Sequence, residues 1–297
     1  MTPPPTNSYG ARLLTAVKTP ALGVAGFAIL GGAWELIKAL GGHDGRLAMV
    51  RTDDASMPHL MTVTRSLGQE DVRGTGRSVG RAVLNGSWFS LRLALGGFVL
   101  GLIIGMALAL LMQRFKIVER AWMPYIVLSQ TVPLIALAPL IVGWGGQLHI
   151  GSHEWHPWMS VVAMAAYLSF FPVSIGALRG LQSPKEQSLE LMQSYAATSW
   201  QTTLKLRLPS AVPYLMPSIK LAAAASVVGA IVAEISSGTP GGIGRLIIDY
   251  FQKASGDPSR VFTAFLGAAV LGLIVAGLVA AVEKVLTRNR PSAQEFA

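Results

Sequence analysis

The sequence predicts an all-α membrane protein with about six transmembrane helices. Of its 297 residues, 52% are hydrophobic and only 13% are charged, whereas an ordinary soluble domain has roughly 25% charged residues. Apolar runs of about 20 residues, the length that an α-helix needs to cross the bilayer core, recur along nearly the whole chain. Because lipid offers no hydrogen-bond partner to backbone N–H and C=O groups, these runs must be helical.

Six spans are predicted, at residues 20–40, 89–112, 121–145, 157–181, 212–235 and 261–286. They form a single transmembrane domain, residues 20–286, between an N-terminal tail, 1–19, and a C-terminal tail, 287–297. An even number of spans places both tails on one side of the membrane. Lys and Arg residues number twelve on that side and ten on the other, a small excess that favours cytoplasmic tails.

The long segment 41–88 is expected on the outer side of the membrane. Within it, Arg73, Arg77 and Arg81 are four residues apart and would share one stripe of a helix. The pattern is compatible with an amphipathic helix on lipid head groups, and equally with a solvated loop.

The second and third spans carry patterns that concern helix shape and packing. Gly97, Gly101 and Gly105 recur every four residues, which either forms a groove for another helix backbone or arises by chance, as in many membrane helices. Pro133 and Pro139 in the third span remove backbone hydrogen bonds and kink a helix. Such kinks suit a protein that opens on alternate sides, which makes both prolines candidate pathway residues, although static kinks are also common.

Charged residues inside the spans are further candidates for a transport pathway, because a charge in hydrocarbon is costly. They are Arg92, Lys220 and Glu234. Arg92 could equally snorkel to the interface, and Glu234 could equally orient the glycine-rich loop that follows it. Glu35 and Lys38, three residues apart near the outer end of the first span, are expected to pair with each other.

Other kinds of chemistry have little support in the sequence. The net charge is +9, but the basic residues are scattered through the loops, so membrane lipid rather than nucleic acid is the expected partner. The chain has no cysteine, which excludes disulfides and thiolate metal sites. No catalytic triad or carboxylate pair appears in a span, so no enzyme is expected. A metal site and a solvated loop remain alternatives for one outer-loop cluster, His149, His153, Glu154 and His156.

Residues 183–209, between the fourth and fifth spans, are too rich in Lys, Gln, Ser and Thr to lie in hydrocarbon. A helix is predicted to start there, because Ser183 can cap it, Pro184 suits its first position and Glu186 completes a capping box. A second short helix is predicted to begin at Thr198 or Ser199. The sequence therefore predicts a compact helix-turn-helix that projects from the inner face.

This polar segment also carries a pattern of spaced residues, Glu190-Leu191-Met192, then Ala196, then Leu206 and Leu208-Pro209. The pattern resembles the inner-face signature of bacterial ABC importer permeases, which is Glu-Ala-Ala, three residues, Gly, nine residues, Ile, one residue, Leu-Pro. It departs from that signature at both alanines, at the glycine and at the isoleucine.

Further stretches resemble the nitrate/sulfonate/taurine branch of the same family. Residues 131–140 are similar to its third span, and residues 197–201 and 208–213 to the part that follows its signature glycine. Val232-Ala233-Glu234 followed by Gly241-Gly242-Ile243-Gly244 is similar to the end of its fifth span. The resemblance covers roughly residues 57–288 in order, and it implies the type I importer permease fold.

The resemblance implies that residues 183–209, hereafter the coupling segment, dock in a cleft on a separate ATPase subunit. The residues that would carry coupling are Glu190, Leu191, Met192, Ala196, Ala197, Trp200, Leu206, Leu208 and Pro209. Alternatively, Glu190 only caps or solvates a loop and Trp200 is an interfacial aromatic. Because the sequence lacks a Gly-rich loop ending in Gly-Lys-Ser or Gly-Lys-Thr, ATP and Mg are expected on the ATPase and no cofactor on this chain.

The function implied by the resemblance is ATP-driven import of a small polar solute across the bacterial cell membrane. The implied partners are two ATPase copies, a second copy of this chain or another permease, and an external solute-binding protein. The solute would be a sulfonate-, nitrate- or taurine-like anion, or a vitamin or pyrimidine precursor. The alternatives are a stand-alone channel or ion-coupled carrier, and a membrane scaffold that recruits a soluble enzyme.

Overall fold

Helices dominate the residues that the computed structural model describes, which are 25–26, 28–41, 46–47, 50–72, 76–147, 149–150, 153–253 and 257–287. Helix α1 covers residues 28–40, and the helices after it are α2 (Leu60–Ser66), α3 (Val79–Arg114), α4 (Lys116–Ser129), α5 (Leu134–Gly145), α6 (Pro157–Leu181), α7 (Glu186–Ser194), α8 (Ser199–Thr202), α9 (Leu208–Ser237), α10 (Ile243–Gln252) and α11 (Ser259–Thr287). Two antiparallel ladders of two-residue strands join β1 (Arg46–Leu47) to β2 (Val50–Arg51) and β3 (His149–Ile150) to β4 (His153–Glu154). The prediction of an all-α fold is confirmed.

Four helical stretches among the described residues are long and apolar enough to cross a membrane, Val79–Arg114, Pro157–Leu181, Ser199–Ser237 and Ser259–Val285. They contain the predicted second, fourth and fifth spans and all but the last residue of the sixth. Helix α3 begins ten residues before the predicted start of its span, and its 36 residues correspond to about 54 Å. It therefore extends beyond the hydrocarbon layer. Residues 20–24 and 27 of the predicted first span lie outside the described residues.

The predicted third span, residues 121–145, is not one continuous helix. Helices α4 and α5 meet at a bend of 106°, and Pro133 is the N-cap of α5. Proline has no N–H to continue the hydrogen bonds of α4 and pushes the residue before it out of the helical region. If the bent pair counts as one span, the described residues contain five.

The packed centre of the fold is a three-helix core of α3, α6 and α9. Gly97, Gly101 and Gly105 face α6 so closely that a Cβ atom on any of them would overlap that helix. Ser169 of α6 lies in this seam, and its Oγ donates to the carbonyl oxygens of Ala165 (2.9 Å) and Gly97 (3.3 Å). Of the two alternatives for the three glycines, the structure supports the helix seam.

One expectation for the region before α3 is wrong. Glu35 and Lys38 do not pair with each other, because the loop before α2 returns to α1 and supplies other partners. Glu35 accepts from the N–H of Leu60 at 2.7 Å, and Lys38 donates to Asp54 at 2.5 Å.

For the arginine stripe, the described residues do not support the alternative of one amphipathic helix. Arg77 precedes α3, whereas Arg81 lies in its first turn, where its N–H donates to the capping Oγ of Ser78. The two side chains therefore do not share a helix, and Arg73 lies outside the described residues.

Candidate coupling surface

The coupling segment is joined to α9 without a break. Helix α8 continues through a π-helical turn, Thr203–Arg207, into α9, so that Ser199–Ser237 forms one helical stretch of 39 residues. Its length is about 58 Å at 1.5 Å per residue, nearly twice the ~30 Å of hydrocarbon in a bilayer. One end of this rod must therefore stand outside the hydrocarbon layer, and α8 lies at that end.

The π-helical turn has a cause in the sequence. Pro209 has no N–H, and in a regular helix its ring would collide with the carbonyl group four residues earlier, that of Lys205. Widening the preceding turn into a π-helix relieves this conflict without breaking the helix. Leu208 packs against an apolar cluster that includes Leu181 and Ala211, which fixes the rod to the transmembrane helices.

The two predicted helix starts in this segment have different outcomes. Helix α7 begins at Glu186 with Lys185 as its N-cap and no side-chain cap, and the Oγ of Ser183 instead donates to the carbonyl of Gly180 at 2.8 Å. The predicted capping box at Ser183 is therefore wrong, because that hydroxyl is used at the end of α6. The predicted start at Thr198 or Ser199 is confirmed.

A capping box holds the start of α8. The Oγ1 of Thr198 accepts from the N–H of Gln201 at 3.2 Å, and the N–H of Thr198 donates to the Oε1 of Gln201 at 2.8 Å. This reciprocal pair fixes the direction in which the rod leaves the turn.

Ala196 ends α7 in a conformation that favours glycine. Its φ angle is 51°, and the N–H groups of Ala196 and Ala197 donate to the carbonyl oxygens of Gln193 (2.8 Å) and Met192 (2.9 Å). This is a Schellman motif, whose central residue is left-handed and most often glycine. Ala196 is the position at which the signature carries glycine, so the turn itself gives a physical reason for that glycine.

The coupling segment exposes large apolar side chains to the surroundings. Helix α7 has no buried residue, and the exposed fractions are 56% for Leu191, 78% for Tyr195, 65% for Trp200 and 45% for Leu204. An exposed apolar surface of this kind is typical of sites of protein–protein or membrane contact. We call these four residues the coupling surface.

Glu234, in contrast, is buried and takes part in a hydrogen-bond network within the fold. Its carboxylate accepts from the Oγ of Ser90, at 2.7 and 2.8 Å, and from the N–H of Gly244 at 2.9 Å. The same Oγ accepts from the N–H of Ile243 at 2.9 Å. Ile243 and Gly244 are the first residues of α10, so this side chain caps α10 from the end of α9, where a negative charge is favourable.

The other charged candidates lie apart from this network. Lys220 of α9 forms an ion pair with Glu283 of α11. Arg92 is exposed on α3, with its guanidinium 5.8 Å from the ring centre of Phe89. The structure does not bring these cations together into one site.

Comparison with known protein families identifies the family of this chain. A family profile described as "Binding-protein-dependent transport system inner membrane component" matches residues 97–288. The chain belongs to this family. It is an ABC transporter permease subunit, embedded in the membrane, and the family works with an ATPase and a binding protein in one transport system. The matched range contains the seam, the coupling segment, and Glu234 with its partners at the start of α10, whereas Ser90 lies before it.

Curated relatives of the permease differ in the solutes that their names print. The formylaminopyrimidine transport permease protein ThiX of Halalkalibacterium halodurans is 32% identical over 64% of this chain and 71% of its own length. The riboflavin transport system permease protein RibX of Chloroflexus aurantiacus is 30% identical over 67% and 70%. The nitrate import permease protein NrtB of Leptolyngbya laminosa is 25% identical over 62% and 61%.

A solved structure supports the fold of the permease. An amino acid ABC transporter crystallised with histidines aligns with a TM-score of 0.54, over 70% of this chain and 94% of that chain. At 19% sequence identity the likeness concerns the fold alone. It confirms the expectation of a type I permease fold.

The predicted coupling residues of the permease fall into an exposed group and a half-buried group. Glu190, Leu191 and Trp200 are exposed, as are Ala196 and Pro209, whereas the rest are half-buried, namely Met192, Ala197, Leu206 and Leu208. Sequence reasoning missed Tyr195 and Leu204. An aromatic residue directly before the signature glycine position, in an otherwise polar segment, is the signal that could have revealed Tyr195.

The histidine cluster of the permease yields no metal site among the residues that can be described. The structure describes the backbone but not the side chains of His149 and His153. His156 is the N-cap of α6. Within the described ranges, no group of three metal-ligating side chains occurs.

Proposed function

We propose that this permease takes part in ATP-driven import of a small polar solute and that its coupling segment is the contact through which the ATPase acts. The observation that carries the proposal is the unbroken rod Ser199–Ser237, with exposed apolar side chains at one end and the core packing of α9 at the other. A push on Trp200 or Leu204 is transmitted directly to α9, because no hinge separates them.

The contact itself would combine apolar burial with charge. Trp200 and Tyr195 are large aromatic side chains of the type that dominates binding energy at protein interfaces. Glu190 is exposed on α7 and suits a basic residue of the ATPase. The small side chains of Ala196 and Ala197 allow the partner to approach the turn closely.

The assembly we propose contains two ATPase copies, which bind ATP and Mg, a second copy of this permease and an external solute-binding protein. The coupling segment and both tails would then be cytoplasmic, and the segment 41–88 external, in a bacterial cell membrane. The relatives suggest an oxyanion such as nitrate, or a heteroaromatic vitamin or vitamin precursor, as the solute.

The transport pathway is proposed to run beside α5 and α9. The 106° bend at Pro133 and the proline inside α5, Pro139, give this region a shape that can differ between inward and outward states. Lys220 and Arg92 are proposed as cations near that path. Glu234 is proposed to hold α10 in place, because all of its described contacts are within the fold.

Cysteine crosslinking tests the ATPase contact. The chain has no native cysteine, so Ser194→Cys and Ala197→Cys each introduce a unique thiol on the coupling segment. We expect crosslinks from these positions to the ATPase encoded beside this permease, and none from a matched control, Ser87→Cys on α3. Failure of both positions to capture the ATPase would favour the scaffold. Solute uptake by the chain alone, without ATP, would favour the channel or carrier.

A further inference from the structure

A polar cleft lies between the coupling segment and the C-terminal end of α3. Its volume is about 380 Å³, and its polar lining comes from α3, α7, α8 and the π-helical turn, namely Gln113, Arg114, Gln193, Ser199, Thr202 and Arg207. None of the residues that line this cleft is acidic. Two guanidinium groups therefore share a concave site with no carboxylate in its wall.

Neither arginine is neutralised elsewhere in the described part of the fold. Arg207 is half-buried and donates through Nη1 to the carbonyl of Leu181 at 3.0 Å, but a guanidinium has five N–H donors. Arg114 lies with its guanidinium 5.8 Å from the ring centre of Phe115. Neither forms an ion pair with a carboxylate of the described residues, unlike nearby Lys116, which pairs with Glu119 at 3.1 Å.

A partly buried guanidinium that lacks a counter-charge favours an anion, and phosphate oxygens match its forked geometry. The hydroxyl groups of Ser199 and Thr202 and the amide group of Gln193 can donate further hydrogen bonds to such an anion. We propose that this cleft binds a phosphate group, either that of an anionic phospholipid head or free inorganic phosphate.

The location of the cleft suits both sources. Arg114 is the last residue of a helix about 54 Å long, so the cleft lies beyond the hydrocarbon layer at one surface of the membrane. A lipid head group can reach this level from the bilayer, and inorganic phosphate can reach it from solution.

The cleft is on the opposite side of α7 from the coupling surface. Leu189 and Gln193, which line the cleft, are one turn apart on the same stripe, whereas Leu191 points about half a turn away. A bound phosphate would thus leave the coupling surface free and tie α7 to α3. Binding does not depend on the proposed function, since it needs no ATPase.

A matched pair of substitutions tests the site. Gln193→Glu and Gln187→Glu introduce the same charge on the same exposed helix, the first facing the cleft and the second facing away from it. The probes are phosphatidylglycerol, counted on the purified permease by native mass spectrometry with phosphatidylcholine as reference, and inorganic phosphate, titrated calorimetrically. Arg114→Gln is a third variant, which removes one cation and adds no charge.

We expect the wild type to bind at least one of the two probes at this site. Gln193→Glu and Arg114→Gln should each weaken that binding at least fivefold, and Gln187→Glu by less than twofold. Binding of phosphatidylglycerol alone identifies a lipid site, and displacement of the lipid by phosphate identifies a site that accepts both. The proposal is overturned if the wild type binds neither probe, or if the two Glu variants weaken binding equally. Crosslinking to the ATPase is scored separately at Ser194, because Ala197 lines the cleft, so the two proposals can fail independently.

Discussion

The three-helix core and the coupling segment of this permease are stabilised in opposite ways. In the core, glycines let α3, α6 and α9 approach until a single added Cβ atom would overlap the neighbouring helix. In the coupling segment, α7 has no buried residue, and the fold depends on a capping box and a left-handed turn. The comparison indicates that the core tolerates little change of volume, whereas the coupling segment tolerates changes of side chain but little change of backbone conformation.

The largest effect is expected in the glycine seam. Gly101→Leu would place a side chain against Ser169 and the carbonyl of Ala166, and overpacking of this kind costs about 3 kcal/mol or more in a site that cannot relax. We expect the variant to lose most of its folded yield, measured by size-exclusion chromatography in detergent.

Gly96→Leu is the control for the seam. A Cβ atom on Gly96 would be no closer than 3.7 Å to Val162, so this variant should fold like the wild type. Equal behaviour of the two variants would show that the seam is not closely packed.

The next effect is expected in the Glu234 network. Ser90→Ala removes a hydroxyl that donates to Glu234 and accepts from Ile243, and it leaves a buried N–H without a partner, at a cost of about 1–3 kcal/mol. We expect a lower unfolding temperature and faster proteolysis of the loop before α10. Ser236→Ala, at a half-buried position on the same α9 turn as Glu234, should change neither quantity.

The ion pair between α9 and α11 should contribute less. Polar pairs between membrane helices typically contribute about 1 kcal/mol, because the separated side chains find other partners, and we expect a coupling free energy of that size for Lys220 and Glu283. Lys220→Glu and Glu283→Lys should each lower the unfolding temperature, and the double swap should recover part of the loss. If the double swap lowers the unfolding temperature by the sum of the two single effects, the pair does not stabilise the fold.

The smallest effect, and the only stabilising one, is expected at the turn of the coupling segment. Ala196→Gly removes a Cβ atom from a left-handed residue and should stabilise the turn by about 1 kcal/mol. Hydrogen exchange should show stronger protection of the Ala197 amide, which closes the turn onto Met192. Ala197→Gly, at a residue without positive φ, should weaken that protection.

Much of this fold could be predicted because its signals are local in sequence. The glycine period of four indicated a possible seam, and the sequence around Thr198 and Ser199 predicted the start of α8. The break between α4 and α5 was missed although Pro133 was noted, because a proline alone does not distinguish a kink from a full bend of 106°.

The rest of the candidate site depends on contacts that are distant in sequence. Ser90 and Glu234 are 144 residues apart, and nothing in the sequence joins them. Ser183 is of a residue type that often caps helices, but its hydroxyl donates to the carbonyl of Gly180 in α6. The contact with α6 therefore overrides the local preference for capping α7. The exposure of Leu204 depends on how the π-helical turn packs against the transmembrane helices, which no local pattern specifies.

The most direct test of the account is ATP-driven transport by the complex reconstituted in lipid vesicles. The double variant Tyr195→Ala and Trp200→Ala removes both aromatic side chains of the coupling surface while leaving the capping box and the core unchanged. We predict that it folds normally but loses at least tenfold in ATP-dependent solute uptake, whereas Trp88→Ala, an equally exposed tryptophan on α3, retains it. Undiminished uptake by the double variant would contradict the claim that force from the ATPase enters the permease through this surface.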